Sequence, residues 1–577
     1  MYPQPELLIE NTRLVNVYTG EILLTDIATI QGRILHTGKW SADLPEPAQR
    51  YDAKGKFATP GLIDSHIHIE SSMMSPAGFA AAVLPRGTTT VVIDPHEIAN
   101  VLGLRGVSYM LEATTALPLR VFVQAPSCVP AVPALETAGA NFGAAEVEAM
   151  LSWERVIGLA EVMDYVGVIE GAPRMRAILA AARRCGTVIS GHCPGLQGPA
   201  LSAYIFAGPL SDHEGGDPEE LLEKLRAGMA VEARVSSFSE SMTVLGAIVR
   251  ELGHVPSNLV MCTDDVFPED LARRGHMDRV VREAIAAGFA PVQALRAATL
   301  HGAQRHRLYD LGAIAPGKRA DLLLLTDLER VTVDEVFCNG QLVACGGELL
   351  EPIDAAHPEL ERENTVHLRA PLREEDFRLR ARPGESSACL HVLDLRDRHN
   401  RQLTQRHFRA QGEWLELPDG VCLAAVIERH GRSGHGSLTP VEGLSLKRGA
   451  IASTVAHDSH NLLVVGHNPT DMVLAAQTLA SSGGGICCAA GGEILAILPL
   501  PIAGLMSPEP LEALTGQMTR LNDALHSLGL EGAQPISSII GLALPVIPHY
   551  GVTDLGLVDV DHQRLVPLWV EGNTQEC

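Results

Sequence analysis

The sequence predicts an α/β protein: a (β/α)8 barrel, a small β-sandwich domain built from both flanks of that barrel, and a C-terminal α+β domain. Three observations carry this. Eight short apolar runs with strand character recur through residues 58–304, mostly separated by Ala/Leu/Arg-rich helical patterns. Bursts of alternating polar and apolar residues, broken by Gly and Asn, stand on both sides of that region, at 7–57 and 311–350. Beyond a Pro/Glu/Arg-rich stretch at 351–388 the texture changes again and strands mix with helices to the end. The expected division is 1–57 with 305–365 for the β domain, 58–304 for the barrel and 366–577 for the last domain. A chain of 577 residues is too long for one ordinary core, in keeping with this division.

In the first flank, Leu7-Leu-Ile-Glu10, Arg13-Leu-Val-Asn-Val17, Asp26-Ile-Ala-Thr-Ile30 and Arg33-Ile-Leu35 read as antiparallel strands. The texture returns in Gly312-Ala-Ile-Ala-Pro-Gly-Lys-Arg-Ala-Asp321 and Val333-Asp-Glu-Val-Phe-Cys-Asn-Gly340. Between the flanks, buried strands are predicted at 62–69, 88–94, 119–124, 156–162, 187–192, 210–213, 229–235 and 259–264. Helical patterns separate most of them, for example 172–185 and 219–227. Repeated βα units argue a parallel sheet, and eight of them argue a closed barrel, whose chemistry sits at the C-terminal strand ends. In the last domain the apolar stretch 486–506 is broken by Glu493, Pro499 and Pro501, so it reads as a buried strand pair and not as a membrane span.

Composition narrows the function. Hydrophobic content of 46% and charged content of 20% are those of a soluble globular protein. A formal net charge of −24 argues against nucleic-acid or anionic-membrane partners, which need a basic face, and leaves a small neutral substrate open. Eleven cysteines without a CxxC ladder suggest neither a disulfide framework nor a zinc ribbon. The start Met1-Tyr-Pro-Gln-Pro-Glu6 lacks a basic and then apolar leader, so a cytoplasmic location is expected. Neither a Walker A run nor a GxGxxG after a strand occurs, which leaves phosphate cradling unsupported.

Polar residues fall where the predicted strands end. His66 and His68 share one strand face, because residues i and i+2 point the same way. Asp94, His96 and Glu97 follow strand two, Glu161 ends strand four, and His192 ends strand five. His213 and Glu214 end strand six, and Asp264 and Asp265 end strand eight. Singly, each has an ordinary reading as a satisfied loop histidine, a solvated charge or, for Asp265, a helix cap. Jointly, four histidines with Glu161 and Asp264 supply the mixed N/O ligation accepted by Zn2+, Mn2+ or Fe2+. Two ions would need a bridging carboxylate, and Glu161 is the candidate. Bound metal lowers the pKa of water towards 7.

Pro60-Gly-Leu-Ile-Asp-Ser-His-Ile-His68 resembles the first metal motif of the amidohydrolase superfamily. Longer runs resemble the adenine deaminase family: His66-Ile-His-Ile-Glu-Ser-Ser-Met-Met-Ser-Pro76, Gly87 through Val101, Ala125-Pro-Ser-Cys-Val-Pro130, Gly158-Leu-Ala-Glu-Val-Met163, Ser211-Asp-His-Glu214 and Thr263-Asp-Asp265. The likeness continues through Glu428-Arg-His-Gly431, Ala456-His-Asp-Ser-His-Asn461 and Leu498 through Ser507, and so spans nearly the whole chain. It implies hydrolysis of adenine to hypoxanthine and ammonia by a binuclear Mn2+ or Fe2+ enzyme, with Zn2+ as a third candidate, in a homo-oligomer of dimer size or larger. By position, His66 and His68 would hold one metal and His192 and His213 the other, with Glu161 bridging. Asp264 would ligate the first metal and act as general base, with Glu214 as a proton shuttle or as a partner orienting a ligand histidine. Ser127, Arg234, Asp265, His96 and Glu97 are further substrate or accessory candidates. His457, Asp458 and His460 lie outside the barrel and read as a cap on the site, an accessory metal site or a hydrogen-bonded turn.

Two departures stand out. The family run Asp-Gly-His-Ala-Pro-Gly-Leu is Ser190-Gly-His-Cys-Pro-Gly-Leu196 here, and Arg-Glu-Gly-Ser is Arg234-Val-Ser-Ser237. Val235 thus replaces a glutamate near the substrate, which bears on substrate choice more than on reaction class. Competing readings are an amidohydrolase acting on another aminopurine or a cyclic amide, and an inactive metal-binding scaffold. Cyclic-amide hydrolases of this superfamily bridge their metals with a modified lysine, where this chain has Glu161. A scaffold would not need Asp264 beside all four histidines.

Overall fold

The computed structural model describes residues 3–353, 360, 363–397, 400–547 and 549–571. Parts of the predicted boundary stretch, 354–359 and 361–362, lie outside the described residues. Eight parallel strands form the centre: Leu62–Ile67, Thr88–Ile93, Arg120–Ala125, Val156–Val162, Val188–Gly191, Ser211–Asp212, Ala230–Arg234 and Leu259–Cys262. The first five form one ladder and the last three a second. Among the described residues, single backbone-to-backbone hydrogen bonds join the two: Leu210 N–H donates to Ile189 O (3.1 Å), and Asp264 N–H donates to His66 O (3.0 Å), which returns strand eight to strand one.

Every residue of the first two barrel strands is buried, as a parallel sheet covered by helices requires. The helices start where the sequence supplies caps. The Ser75 hydroxyl accepts Gly78 N–H ahead of Pro76–Val83, and Asp217 accepts Glu219 and Glu220 N–H ahead of Pro218–Arg226. Strand one ends at Ile67, because the chain turns into a short 3-10 segment, Glu70–Ser72. His66 is therefore in the strand and His68 just past it, where a regular strand through 69 was expected. Strand six keeps only two residues in its ladder.

Both flanks enter one nine-stranded sheet, joined where Phe57–Pro60 pairs antiparallel with Leu322–Asp327. Ile9, Leu14, Ile27, Ile34, Leu322, Leu324 and Phe337 give it a core apart from the barrel's. Not all of its first flank is antiparallel as expected. Gln49–Asp52 and Phe57–Pro60 run parallel to Leu7–Val15, because the long segment 39–48 carries the chain back before it re-enters the sheet.

The C-terminal region holds a second nine-stranded sheet with helices Pro469–Ser482 and Leu511–Leu528, and a three-stranded sheet from Tyr550 onward. The expected strand pair is present as Gly485–Ala490 and Glu493–Pro499. The first is buried throughout, whereas the second is the sheet edge and exposes Glu493, Ile494 and Leu495. This region docks on the barrel: Ser75 N–H donates to Ser507 O, Ser507 N–H to Met73 O, and Asn522 Nδ2 to Glu269 Oε1. Among the described residues no helix is long and apolar enough to cross a membrane.

Gly61 links the flank sheet to strand one, and a Cβ there would run into the buried side chain of Thr89. Gly61→Ala should lower stability by about 1–3 kcal/mol, the usual range for overpacking. Urea unfolding measures it, and an unchanged midpoint would show that Thr89 yields.

Candidate active site

Glu161, at the end of strand four, is buried and faces imidazoles with both oxygens. Oε1 lies 3.4 Å from His68 Nε2 and 3.8 Å from His66 Nε2. Oε2 lies 2.7 Å from His192 Nδ1 and 3.3 Å from His213 Nε2. Asp264 closes the first group, its Oδ1 at 3.5 Å from His66 Nε2 and 3.3 Å from His68 Nε2. The rings pack on one another, His66 stacking on His213 with centroids 4.2 Å apart. One carboxylate thus separates two pairs of histidines drawn from three strands, one, five and six.

The surroundings set tautomer and charge. His68 Nδ1 lies 2.9 Å from the Asp94 carbonyl, which can only accept, so Nδ1 carries a hydrogen and Nε2 is the atom turned towards Glu161 and Asp264, where it can ligate a cation once its own proton has left. Burial alone would raise the Asp264 carboxyl, but the Arg234 guanidinium, 2.8 Å from Oδ2, and the neighbouring histidines hold it well below the usual carboxylate range. Burial is likewise overridden at Glu161 by His213 and His192, which keep it ionised. In return Glu161 lifts His213, against burial, to about 10. Arg234 also engages both oxygens of Glu214 and, against burial, lowers that carboxyl.

A further group adjoins the first. His96 Nδ1 lies 3.1 Å from Asp94 Oδ2 and 3.6 Å from Glu161 Oε1, and its Nε2 lies 3.6 Å from Asp458 Oδ1 of the C-terminal region. His460 Nε2 is 3.3 Å from Glu97 Oε2, and the rings of His457 and Phe238 meet edge to face at 6.2 Å. The Ser71 hydroxyl sits 2.6 Å from Glu97 Oε1 and 2.5 Å from Asp265 Oδ1. The structure therefore brings His457, Asp458 and His460 against the barrel ends. Ala456 N–H donates to His460 Nδ1, which puts the ring hydrogen on Nε2, facing Glu97. That ring hydrogen opposes ligation through Nε2, yet His460 Nε2 and Glu97 Oε2 are both buried without a hydrogen-bond partner, and with His457 they form a further donor group. The Ser127 hydroxyl donates to the Glu161 backbone carbonyl (2.6 Å). Val235 is buried in the barrel core.

The donor set fits a divalent ion. His66 Nε2, His96 Nδ1 and both Asp94 oxygens are buried without a hydrogen-bond partner, a costly condition unless a cation faces them. Buried donor groups gather as His66, His213 and Asp264, as Glu161, His192 and His213, and as His68, Asp94, His96 and Glu161. Imidazole and carboxylate without thiolate suit Mn2+, Fe2+ or Zn2+, and burial holds the neighbouring Cys128 thiol protonated, up to about 12. In the sequence Asp94 marks a strand end without a stated role, and Ser71 carries no signal beyond its place three residues after His68.

A closed parallel barrel with this ligand set at its C-terminal strand ends has the architecture of a metal-dependent hydrolase. The amidohydrolase family model matches residues 57–343, and that of the adenine deaminase C-terminal domain matches 399–564. The chain is 42% identical to the adenine deaminase of Moorella thermoacetica, over 98% of this chain and 95% of the relative. It is 42% identical to adenine deaminase 2 of Rhizobium meliloti, over 97% and 94% respectively. With that of Desulfatibacillum aliphaticivorans it shares 40%, over 98% and 97%. The chain belongs to the adenine deaminase family.

His213, held near 10, carries a proton at neutral pH that must leave before Nε2 can bind a cation. Metal affinity should therefore rise with pH, by about tenfold per unit for each proton displaced. Competition with a chelator of known proton linkage between pH 6 and 8 measures this, and a pH-independent affinity would contradict it.

Proposed function

We propose that the chain hydrolyses adenine to hypoxanthine and ammonia with two divalent metal ions, Mn2+ or Fe2+. The observation that carries this reading is the placement of Glu161 between two histidine pairs beside Asp264, in a chain alike over its whole length to relatives named adenine deaminase. His66, His68 and Asp264 would hold one ion, His192 and His213 the other, with Glu161 shared. The ions, when bound, supply Lewis acidity and acidify the attacking water.

The residues do the rest. Asp264, kept ionised by Arg234, takes a proton from the water as its oxygen adds to C6 of the purine. That proton is passed to N1, and the second, from the hydroxyl now on C6, protonates the amine so that the C6–N bond breaks, the C6 carbonyl forms and ammonia leaves. Arg234 engages Oδ2 of Asp264 and leaves Oδ1 towards the histidines, which orients the base. Glu214 holds Arg234 in place and, being ionised, can act as shuttle only by receiving the proton Asp264 has taken. Asp458 and His460 hold the C-terminal region against His96 and Glu97, which supports a capping role for that loop. The acidic net charge supports an enzyme without nucleic-acid or anionic-membrane partners, and we extend the reading to a cytoplasmic homo-oligomer.

Protein reconstituted separately with Mn2+ and Fe2+ should release ammonia from adenine, with the accompanying ultraviolet change to hypoxanthine. Asp264→Asn should keep the fold and much of the metal while turnover falls by about 10²–10⁴-fold. Absence of turnover on adenine with two metals per chain would redirect the substrate to other aminopurines or cyclic amides, and near-normal activity of Asp264→Asn would remove it as the base. Glu161→Gln should lower metal occupancy below two per chain by elemental analysis; unchanged stoichiometry would reject the shared-ligand assignment.

A further inference from the structure

Lys224 is a wholly buried lysine with no part in the chemistry above. It lies on helix Pro218–Arg226 between the buried Leu221 and Leu225, where an apolar residue would be expected. Its ammonium has three hydrogens and three acceptors: Cys193 O at 2.8 Å, Asp212 Oδ2 at 2.9 Å, and Glu220 Oε1. Cys193 follows His192 and Asp212 precedes His213. Asp212 Oδ1 also accepts Cys193 N–H (2.7 Å), its Oδ2 accepts Gly215 N–H (2.9 Å), and Glu220 Oε1 accepts Gly195 N–H (2.8 Å). The segments 192–195 and 212–215 are thus tied together through one buried ion cluster.

This cluster stands where the barrel ladder is broken. The strands divide into a group of five and a group of three, and one break falls between Val188–Gly191 and Ser211–Asp212. Among the described residues, Leu210 N–H to Ile189 O is the one backbone-to-backbone hydrogen bond across it, beside Gly191 N–H to Ser211 Oγ and, just past the strand ends, Cys193 N–H to Asp212 Oδ1. The sheet alone does little to fix the spacing of the two loops that follow, yet His192 and His213 both converge on Glu161 Oε2, their rings 5.2 Å apart. A metal centre tolerates ligand displacements of only a few tenths of an ångström.

We infer that Lys224 is a positioning residue whose buried ion cluster replaces the missing ladder between strands five and six and sets the spacing of His192 and His213. The inference rests on the proposal above that these two histidines hold one of two metal ions. It is tested on the full chain by chelator competition with Mn2+, with His192→Ala marking which of the two equivalents belongs to this half. Lys224→Met should weaken that equivalent at least tenfold and leave the other within twofold. Excess Mn2+ should restore kcat, with KM for adenine unchanged. Equal loss of both equivalents that excess metal does not restore, or no loss of either, would overturn the inference. Lys224→Gln keeps two donors and serves where Lys224→Met fails to fold. It should show the same selective loss, about threefold, and an unselective or absent effect would again overturn the inference. Wild-type protein that binds fewer than two Mn2+, or releases no ammonia from adenine, would defeat the underlying reading before any lysine variant is made.

Discussion

One buried carboxylate organises the open end of this barrel. An anion removed from water is costly unless opposite charge and hydrogen bonds surround it. Glu161 has both its oxygens directed at imidazoles, His66 and His68 on one side and His192 and His213 on the other. The residues that answer its charge come from strands one, five and six, so the carboxylate can be satisfied only when the barrel is closed. Ser127 reinforces this by holding the Glu161 carbonyl. The fold and the site are in that sense one constraint, and the polar centre is bought by the apolar walls that surround it.

A second tier of charge keeps the first in order. Arg234 spans Asp264 and Glu214 and keeps both ionised against their burial. Asp64, further down strand one, is raised to about 7 by burial, although Thr263 donates to it from strand eight. That Thr263 contact, with Asp264 N–H on His66 O, fixes the seam at which Asp264 meets the His66 pair. The C-terminal region adds Asp458 and His460 from outside the barrel. Arg429, fully buried, donates to the carbonyls of His460, Ala503 and Thr365, and so holds the loop that reaches His96 and Glu97.

Much of this was legible before any coordinates. The alternation of apolar runs with helical patterns marks eight strands, because a parallel sheet must be apolar on both faces and must cross over through helices. Strand-end histidines and carboxylates were legible because a barrel presents all its strand ends on one face. Less legible were features with no local period. Gln49–Asp52 falls outside the four bursts that read as strands in the first flank, and only the path of segment 39–48 brings it parallel to Leu7–Val15. The exposure of Glu493, Ile494 and Leu495 follows from being at a sheet edge, which apolar composition does not report. The histidines of 457–460 gave motif without place, since nothing local says which distant surface they meet.

By itself the sequence determined the class of fold, the residue types able to ligate metal and the acidic net charge. These depend on hydrophobic period, residue type and charge, all of which are written locally. Only the tertiary structure decided which oxygen of Glu161 faces which histidine, that Arg234 joins Asp264 to Glu214, that His460 turns its ring hydrogen to Glu97, and that Lys224 is buried beneath two loops. Such facts are pair distances between residues tens to hundreds of positions apart. They arise from closing a ring of strands and docking a second region on it, and no stretch of chain specifies them alone.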